Sequence, residues 1–246
     1  MNFNFVVNNL SIERNQKIII NNFSLEISTP AIWALVGDNG SGKSSLLHSM
    51  AGLLPPQQGG ILIDGHDIFI MQAHKRAQAL TLLQQNSPTQ SYCVAHSRIA
   101  HGLIPDVGFS WLDHNSHSLI KSVADKLAIS HLLGRSLGTL SGGEQRLVHI
   151  AKTLVSPHRL LLLLDEPTAF LDFTQKSRLA EILNQRAQQC LVIFSSHDLD
   201  FILTIAKQIL HINHSYIEIL SPAQLFSSFG SRSKKAETST VGESPS

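Results

Sequence analysis

The sequence predicts an α/β fold with a mainly parallel core sheet, an antiparallel β edge supplied by the N-terminal residues, and a helical subdomain inserted into the core. Three observations lead there. The apolar run AIWALV at 31–36 reads as a buried strand, and it leads through the glycine-rich stretch GDNGSGKS at 37–44 into the helix-like SSLLHSMAGLL. Five leucines at 160–164 followed by Asp165 and Glu166 read as a central strand that ends at the carboxyl edge of a parallel sheet, where ligands of open α/β folds sit. Residues 86–140 lack strong strand signals and carry the helix-like stretches YCVAHSRIAHGL and HSLIKSVADKLAISHLL.

The remaining elements follow in chain order. Residues 1–30 alternate apolar and polar, as in FNFVV and KIIINNFSLEI, and predict antiparallel strands. Residues 31–85 hold the first buried strand, its helix and the short strand ILIDG. From 141 the α/β pattern returns, with a helix, the leucine strand, a helix from about Thr174 to Gln189, the strand CLVIF, another helix and a final strand. Residues 227–246 are polar and poor in apolar side chains, a composition that predicts a disordered tail after a single domain at 1–226.

The chemistry rests on three segments. Residues Gly37, Asp38, Asn39, Gly40, Ser41, Gly42, Lys43, Ser44 and Ser45 carry the GxxxxGK[ST] spacing between strand and helix. Glycines let successive backbone N–H groups turn inward on a phosphate chain, so this is the loop of a P-loop NTPase. Lys43 would reach the β and γ phosphates and Ser44 would ligate Mg²⁺. Asp165 would hold Mg²⁺ through a water, and Glu166 would orient and polarise the attacking water, since phosphoryl transfer needs mostly positioning and charge neutralisation. In LSGGEQR at 140–146, Ser141, Gly142 and Gly143 place a hydroxyl and bare N–H groups at a helix start, which can hold a further phosphate. One phosphate loop and a second phosphate-binding helix start in one chain suggest two chains sharing ATP across an interface.

This pairing resembles the ATP-binding cassette (ABC) family, whose signature motif LSGGEQR matches. The resemblance covers almost the whole chain. It implies a mobile-loop glutamine that reaches Mg²⁺ or water at Gln84, with Gln85 adjacent and one residue out of step. It implies that AFLD at 169–172 turns Asp172 toward a partner chain, and that His197, in SSHDLD after the strand CLVIF, touches the γ-phosphate. The family's adenine-stacking aromatic falls on Arg14, and no Tyr, Phe or Trp lies between Phe5 and Phe23. A guanidinium plane can stack on a base face; the other reading of Arg14 is a solvated loop residue.

The stretches VAHSRIAHGLIP, LGRSLGTLSGGEQR and IFSSHDLDF look like the importer group for ferric siderophores, haem and cobalamin. That implies an ATP- and Mg²⁺-dependent ATPase peripheral to the cytoplasmic face of the inner membrane. Its partners would be a second copy of itself, two integral membrane permease subunits that contact residues near 86–110, and indirectly a periplasmic or surface substrate-binding protein. The alternatives are the ATPase of an exporter, or a soluble ABC ATPase acting on nucleic acid or ribosomes. The last normally carries two cassettes, a coiled coil or a basic extension, and none is visible.

Composition agrees. Of 246 residues 43% are hydrophobic and 15% charged, a globular balance, and the net charge of +1 argues against a nucleic-acid surface. The start MNFNFVVNN lacks the features of a signal peptide, and no apolar run approaches a membrane span. Cys93 and Cys190 are too few for a disulfide framework or zinc site. The thirteen histidines, His114, His117, His211 and His214 among them, have no interleaved acids or cysteines to complete a metal site.

Overall fold

The computed structural model describes residues 3–28, 30–85, 92–108 and 114–227; most of the tail predicted to be disordered lies outside them. The chain forms two sheets. In the first, β1 (Asn4–Arg14) pairs antiparallel with β2 (Lys17–Ser28). The second sheet opens with β3 (Ala31–Gly37), which leads through the glycine-rich loop into α1 (Lys43–Met50). The chain then returns to the first sheet through β4 (Gln58–Ile63) and β5 (His66–Asp67), giving the order β2-β1-β4-β5. The N-terminal strands therefore build a sheet of their own rather than an edge of the parallel one. Their alternation explains why: Phe5, Val7, Leu10, Ile12 and Ile20 all face a core shared with Leu46, Leu47 and Met50 of α1.

After α2 (Ala73–Ala79) and β6 (Leu80–Leu83), the described residues carry helices and no strand until β7. These are α3 (Ala95–Ala100), α4 (Ile104–Val107), α5 (His114–Lys126) and α6 (Gly142–Leu154), with short 3₁₀ turns between. Then come β7 (Leu161–Leu164), α7 (Phe173–Arg186), β8 (Leu191–Ser195), α8 (Leu199–Ile205), β9 (Gln208–Asn213) and β10 (Tyr216–Leu220). The second sheet has six strands in the order β10-β9-β3-β8-β7-β6, all parallel except β10.

Period-two alternation divides the parallel strands between two cores. Ile32, Ala34, Val36, Leu162, Leu164, Val192 and Phe194 pack against the helical residues. Leu35, Leu161, Leu163, Leu191 and Ile193 pack against α1 and the antiparallel sheet. Both faces are covered, so β7 can be leucine throughout. The consequence for function lies at the strands' carboxyl ends: β6, β7, β8 and β3 are neighbours in register, with Leu83 opposite Leu164, Leu164 opposite Phe194, and Ser195 opposite Leu35. Their four following loops emerge side by side at one edge.

Candidate active site

The loop after β3 is shaped for an anion. Gly42 has φ +109°, and a Cβ there would overlap the Ile19 side chain, so only glycine fits. Helix α1 starts without a side-chain cap and without an acid in its first turn. Its leading N–H groups are thus left to a ligand. Lys43 bends back so that its ammonium donates to the carbonyls of Gly37 (2.8 Å) and Asp38 (3.1 Å). Burial lowers its pKa from the ordinary lysine value, while Glu166, Asp165 and Asp38 oppose that shift.

The end of β7 supplies the two carboxylates. Asp165 is buried and accepts a 2.6 Å hydrogen bond from the Ser195 hydroxyl on β8. The same hydroxyl accepts from the Glu166 backbone N–H at 2.9 Å. Glu166 has φ +48° and precedes Pro167, a left-handed backbone that costs on the order of 1–3 kcal/mol for a non-glycine residue. Its carboxylate oxygen Oε1 lies 3.4 Å from His197 Nε2, too far for a good hydrogen bond, and is buried without a hydrogen-bond partner. Burial raises the Glu166 pKa and neighbouring Asp165 adds to it; His197 and Lys43 pull the other way.

The buried arginine of α6 underpins this edge. Arg146 donates through one nitrogen to the carbonyls of Gln84 (2.8 Å) and Gln85 (3.3 Å), and through the other to those of Asp165 (2.5 Å) and Glu166 (2.7 Å). Sequence reasoning missed Arg146 and Ser195. The available signal for Arg146 was a charge in the same i, i+4 row as Ile150 and Leu154, the inward face of a helix.

A cleft of about 300 Å³ gathers Asn39, Gly40, Gly42, Lys43, Ser44 and Ser45 from the loop with Asp165, Glu166 and His197. Arg14 and Ile19, from either side of the β1–β2 turn, close one side of the same cleft. Of the adjacent glutamines, Gln85 lines the cleft and Gln84 does not. The two follow the end of an extended strand, where neighbouring side chains face opposite ways.

Ser141, Gly142 and Gly143 lie outside this cleft. Their helix start is not bare: the Ser141 hydroxyl accepts from the Glu144 N–H at 3.3 Å, and Glu144 accepts from the Ser141 N–H at 2.8 Å. In this capping box the Ser141 N–H and hydroxyl both bond the Glu144 carboxylate, which lowers the Glu144 pKa, and the glycine N–H groups are left available. A Cβ on Gly143 would stand 2.8 Å from the Phe170 carbonyl oxygen, whereas one on Gly142 would meet nothing within 4 Å. Asp172 is exposed and caps α7 by accepting from the Gln175 N–H at 2.8 Å.

A second groove, about 310 Å³, runs between α1's far end and the helical residues. Ala51, Leu53, Ala77 and Leu80 give it an apolar floor, Arg76, Lys152 and Arg159 line it with positive charge, and His101, whose pKa is lowered by burial and by Arg98 and Lys152, lines it as well. Arg159 is neutralised by Asp106 at 2.6 Å. Lys152 has no ion pair among the described residues, and burial together with Arg98 lowers its pKa.

The model of the ABC transporter family matches residues 20–169. The chain belongs to the ABC transporter family. It is 32% identical over 215 residues to the hemin import ATP-binding protein HmuV of Photobacterium damselae subsp. damselae, covering 85% of this chain and 80% of that one. It is 34% identical over 220 residues to the vitamin B12 import ATP-binding protein BtuD of Citrobacter koseri, covering 83% and 84%. A bacterial Atm1-family ABC exporter with ATP bound superposes with a TM-score of 0.81 at 24% identity, over 98% of this chain and 43% of that one, a likeness of fold. This ABC chain is an ATP-binding, ATP-hydrolysing transporter subunit. Among its described residues no helix is long and apolar enough to cross a membrane.

Proposed function

We propose that this ABC subunit powers import of an iron chelate (siderophore or haem) or cobalamin, working as a pair of copies beneath two membrane permease subunits at the cytoplasmic face of the inner membrane. The carrying observation is the cleft that unites Lys43, Gln85, Asp165, Glu166 and His197 while the signature glycines lie outside it. A phosphate site missing its signature half fits completion by a second copy. The single domain spans 1–226, with a helical subdomain at about 86–140.

In this reading the loop N–H groups and Lys43 cradle and neutralise the phosphates. Glu166 orients a water for in-line attack on the γ-phosphorus and accepts its proton as the bond to the β–γ bridging oxygen breaks. His197 contacts the γ-phosphate oxygens, and Arg14 stacks on the base. The donors Ser44, Asp165 and Gln85 offer only oxygen, the set that suits Mg²⁺, which would supply charge neutralisation between the phosphates. The raised pKa of Glu166 suits a group that must take a proton.

The cationic, apolar-floored groove supports docking of a permease helix that carries a carboxylate for Lys152. His101, Gly102 and Pro105 fall in it, within the stretch near 86–110 expected to make that contact. Names of the relatives favour import, and haem and vitamin B12 as cargo classes. The test is co-purification with the membrane subunits encoded beside it, followed by reconstitution in vesicles with haem, cobalamin and a ferric siderophore. ATP-dependent uptake of one of them, lost in Glu166→Gln, is the expected outcome. Outward transport alone, or no permease association, would overturn the reading.

A further inference from the structure

Three motif segments meet at one side chain. Arg146 is 5% exposed, and its guanidinium spends its donors on backbone rather than on carboxylates: Gln84 and Gln85 carbonyls on one nitrogen, Asp165 and Glu166 carbonyls on the other. It stands on the first turns of α6, whose start carries Ser141, Gly142 and Gly143. One planar fork therefore ties the glutamine loop, the end of β7 and the signature helix together.

What it holds is itself strained. Glu166 adopts a left-handed backbone ahead of a proline, a conformation that persists only when its surroundings over-determine it. The surroundings do so at both adjoining peptide links. In the link between Asp165 and Glu166, Arg146 takes the carbonyl and Ser195 takes the N–H. In the link after Glu166, Arg146 takes the carbonyl again. No other side chain among the described residues bonds both the glutamine loop and Glu166.

We propose that Arg146 is a positioning residue: it sets the direction of the Glu166 carboxylate by pinning its strained backbone, and it transmits displacement of the Gln85 loop to that carboxylate. A loop pulled outward withdraws two acceptors from the fork and loosens Glu166; a loop pushed inward restores them. The planar fork of two terminal nitrogens is required, because an ammonium on a flexible stem cannot span both carbonyl pairs at once. The proposal rests on Glu166 serving as the water-orienting group.

The experiment uses the full chain, with ATP turnover, ATP affinity by titration of a fluorescent ATP analogue, and thermal unfolding measured for Arg146→Lys, Arg146→Met and Ser195→Ala. Arg146→Lys is expected to lower kcat at least tenfold while KM and affinity change less than threefold. Ser195→Ala should do the same to a smaller degree, and the double variant should lose less than the product of the two, since both act on one peptide link. Should Arg146→Met fail to fold, Arg146→Lys and Ser195→Ala decide between them. Wild-type kcat in folded Arg146→Lys, or a parallel loss of kcat and affinity, would overturn the proposal. A Glu166→Gln chain with normal turnover would instead remove the reading on which it stands.

Discussion

Two adjacent glycines at the start of α6 should respond in opposite ways to the same substitution. Adding a methyl group to Gly143 brings a carbon to 2.8 Å from the Phe170 carbonyl oxygen, inside van der Waals contact, and the obstacle is backbone. Relief requires α6 or the 169–172 turn to move, an overpacking cost of about 1–3 kcal/mol. For a domain of this size that lowers the unfolding midpoint by about 2–4 °C per kcal/mol. Gly142 faces open space and is not among the positive-φ glycines. Gly142→Ala should therefore stabilise the fold by about 0.4–1 kcal/mol through the unfolded chain. Thermal unfolding of the two alanine variants reads the difference directly. The functional half of the prediction uses a large side chain at the open position. Gly142→Arg should leave the fold and ATP binding intact yet abolish turnover, because the side chain would occupy the face offered to the second copy. A bulky residue at Gly143 cannot make this point, since it disturbs its own chain first. Equal stability of the two alanine variants would refute the contact argument. Wild-type turnover in Gly142→Arg would refute a nucleotide shared at this helix start.

Glu166→Gln should retain ATP binding and lose turnover by about 10²- to 10⁴-fold, the range for removing a proton-accepting group. Burial raises the Glu166 pKa, and the working form is ionised, so turnover in the wild type should fall as pH drops through a value above the ordinary 4.5, and a pH–rate profile of Glu166→Gln should lack that acid limb. Arg14→Ala should weaken ATP binding by about 0.5–2 kcal/mol, roughly 2- to 30-fold, and Arg14→Tyr should restore it; unchanged affinity in a titration would leave Arg14 a solvated residue. Asp106→Ala strands the buried Arg159 charge and should cost about 3–5 kcal/mol in denaturant unfolding. Burial, with Arg98 and Lys152 nearby, pushes His149 down to about 4. The unfolded chain then takes up this proton near 6.5 while the fold refuses it, so stability should decline between those values on acidification, and His149→Gln should flatten the decline.

How legible the site was depended on whether a residue's role is local. The glycine-rich loop, the leucine strand with its two acids, and the histidine after β8 each carry their chemistry in contiguous residues, and the structure brings all three to one cleft. Gln84 and Gln85 could not be separated without the strand register, because a one-residue slip exchanges the two faces and nothing in LTLLQQN fixes the phase. The independent antiparallel sheet was hidden for a similar reason. Alternation in residues 4–28 announces strands, but pairing with Gln58–Ile63 is a long-range fact. Ser195 and Arg146 act on backbone atoms of distant segments, so no local pattern names their partners. Asp172 shows the reverse case: its position in AFLD suggested an outward role, while its local work as a helix cap also follows from Gln175 three residues on.

The grip of Lys43 on its own loop bears on how fast such a site resets. Its ammonium already has two acceptors, the carbonyls of Gly37 and Asp38. An arriving phosphate chain thus trades one set of oxygens for another around a cation that never stands bare, and the loop need not be ordered from a floppy state. The trade runs as easily in reverse. When spent nucleotide departs, the lysine falls back onto carbonyls a few ångströms away, which lowers the penalty for release. A loop that closes on itself in this way offers its lysine acceptors at both ends of the exchange.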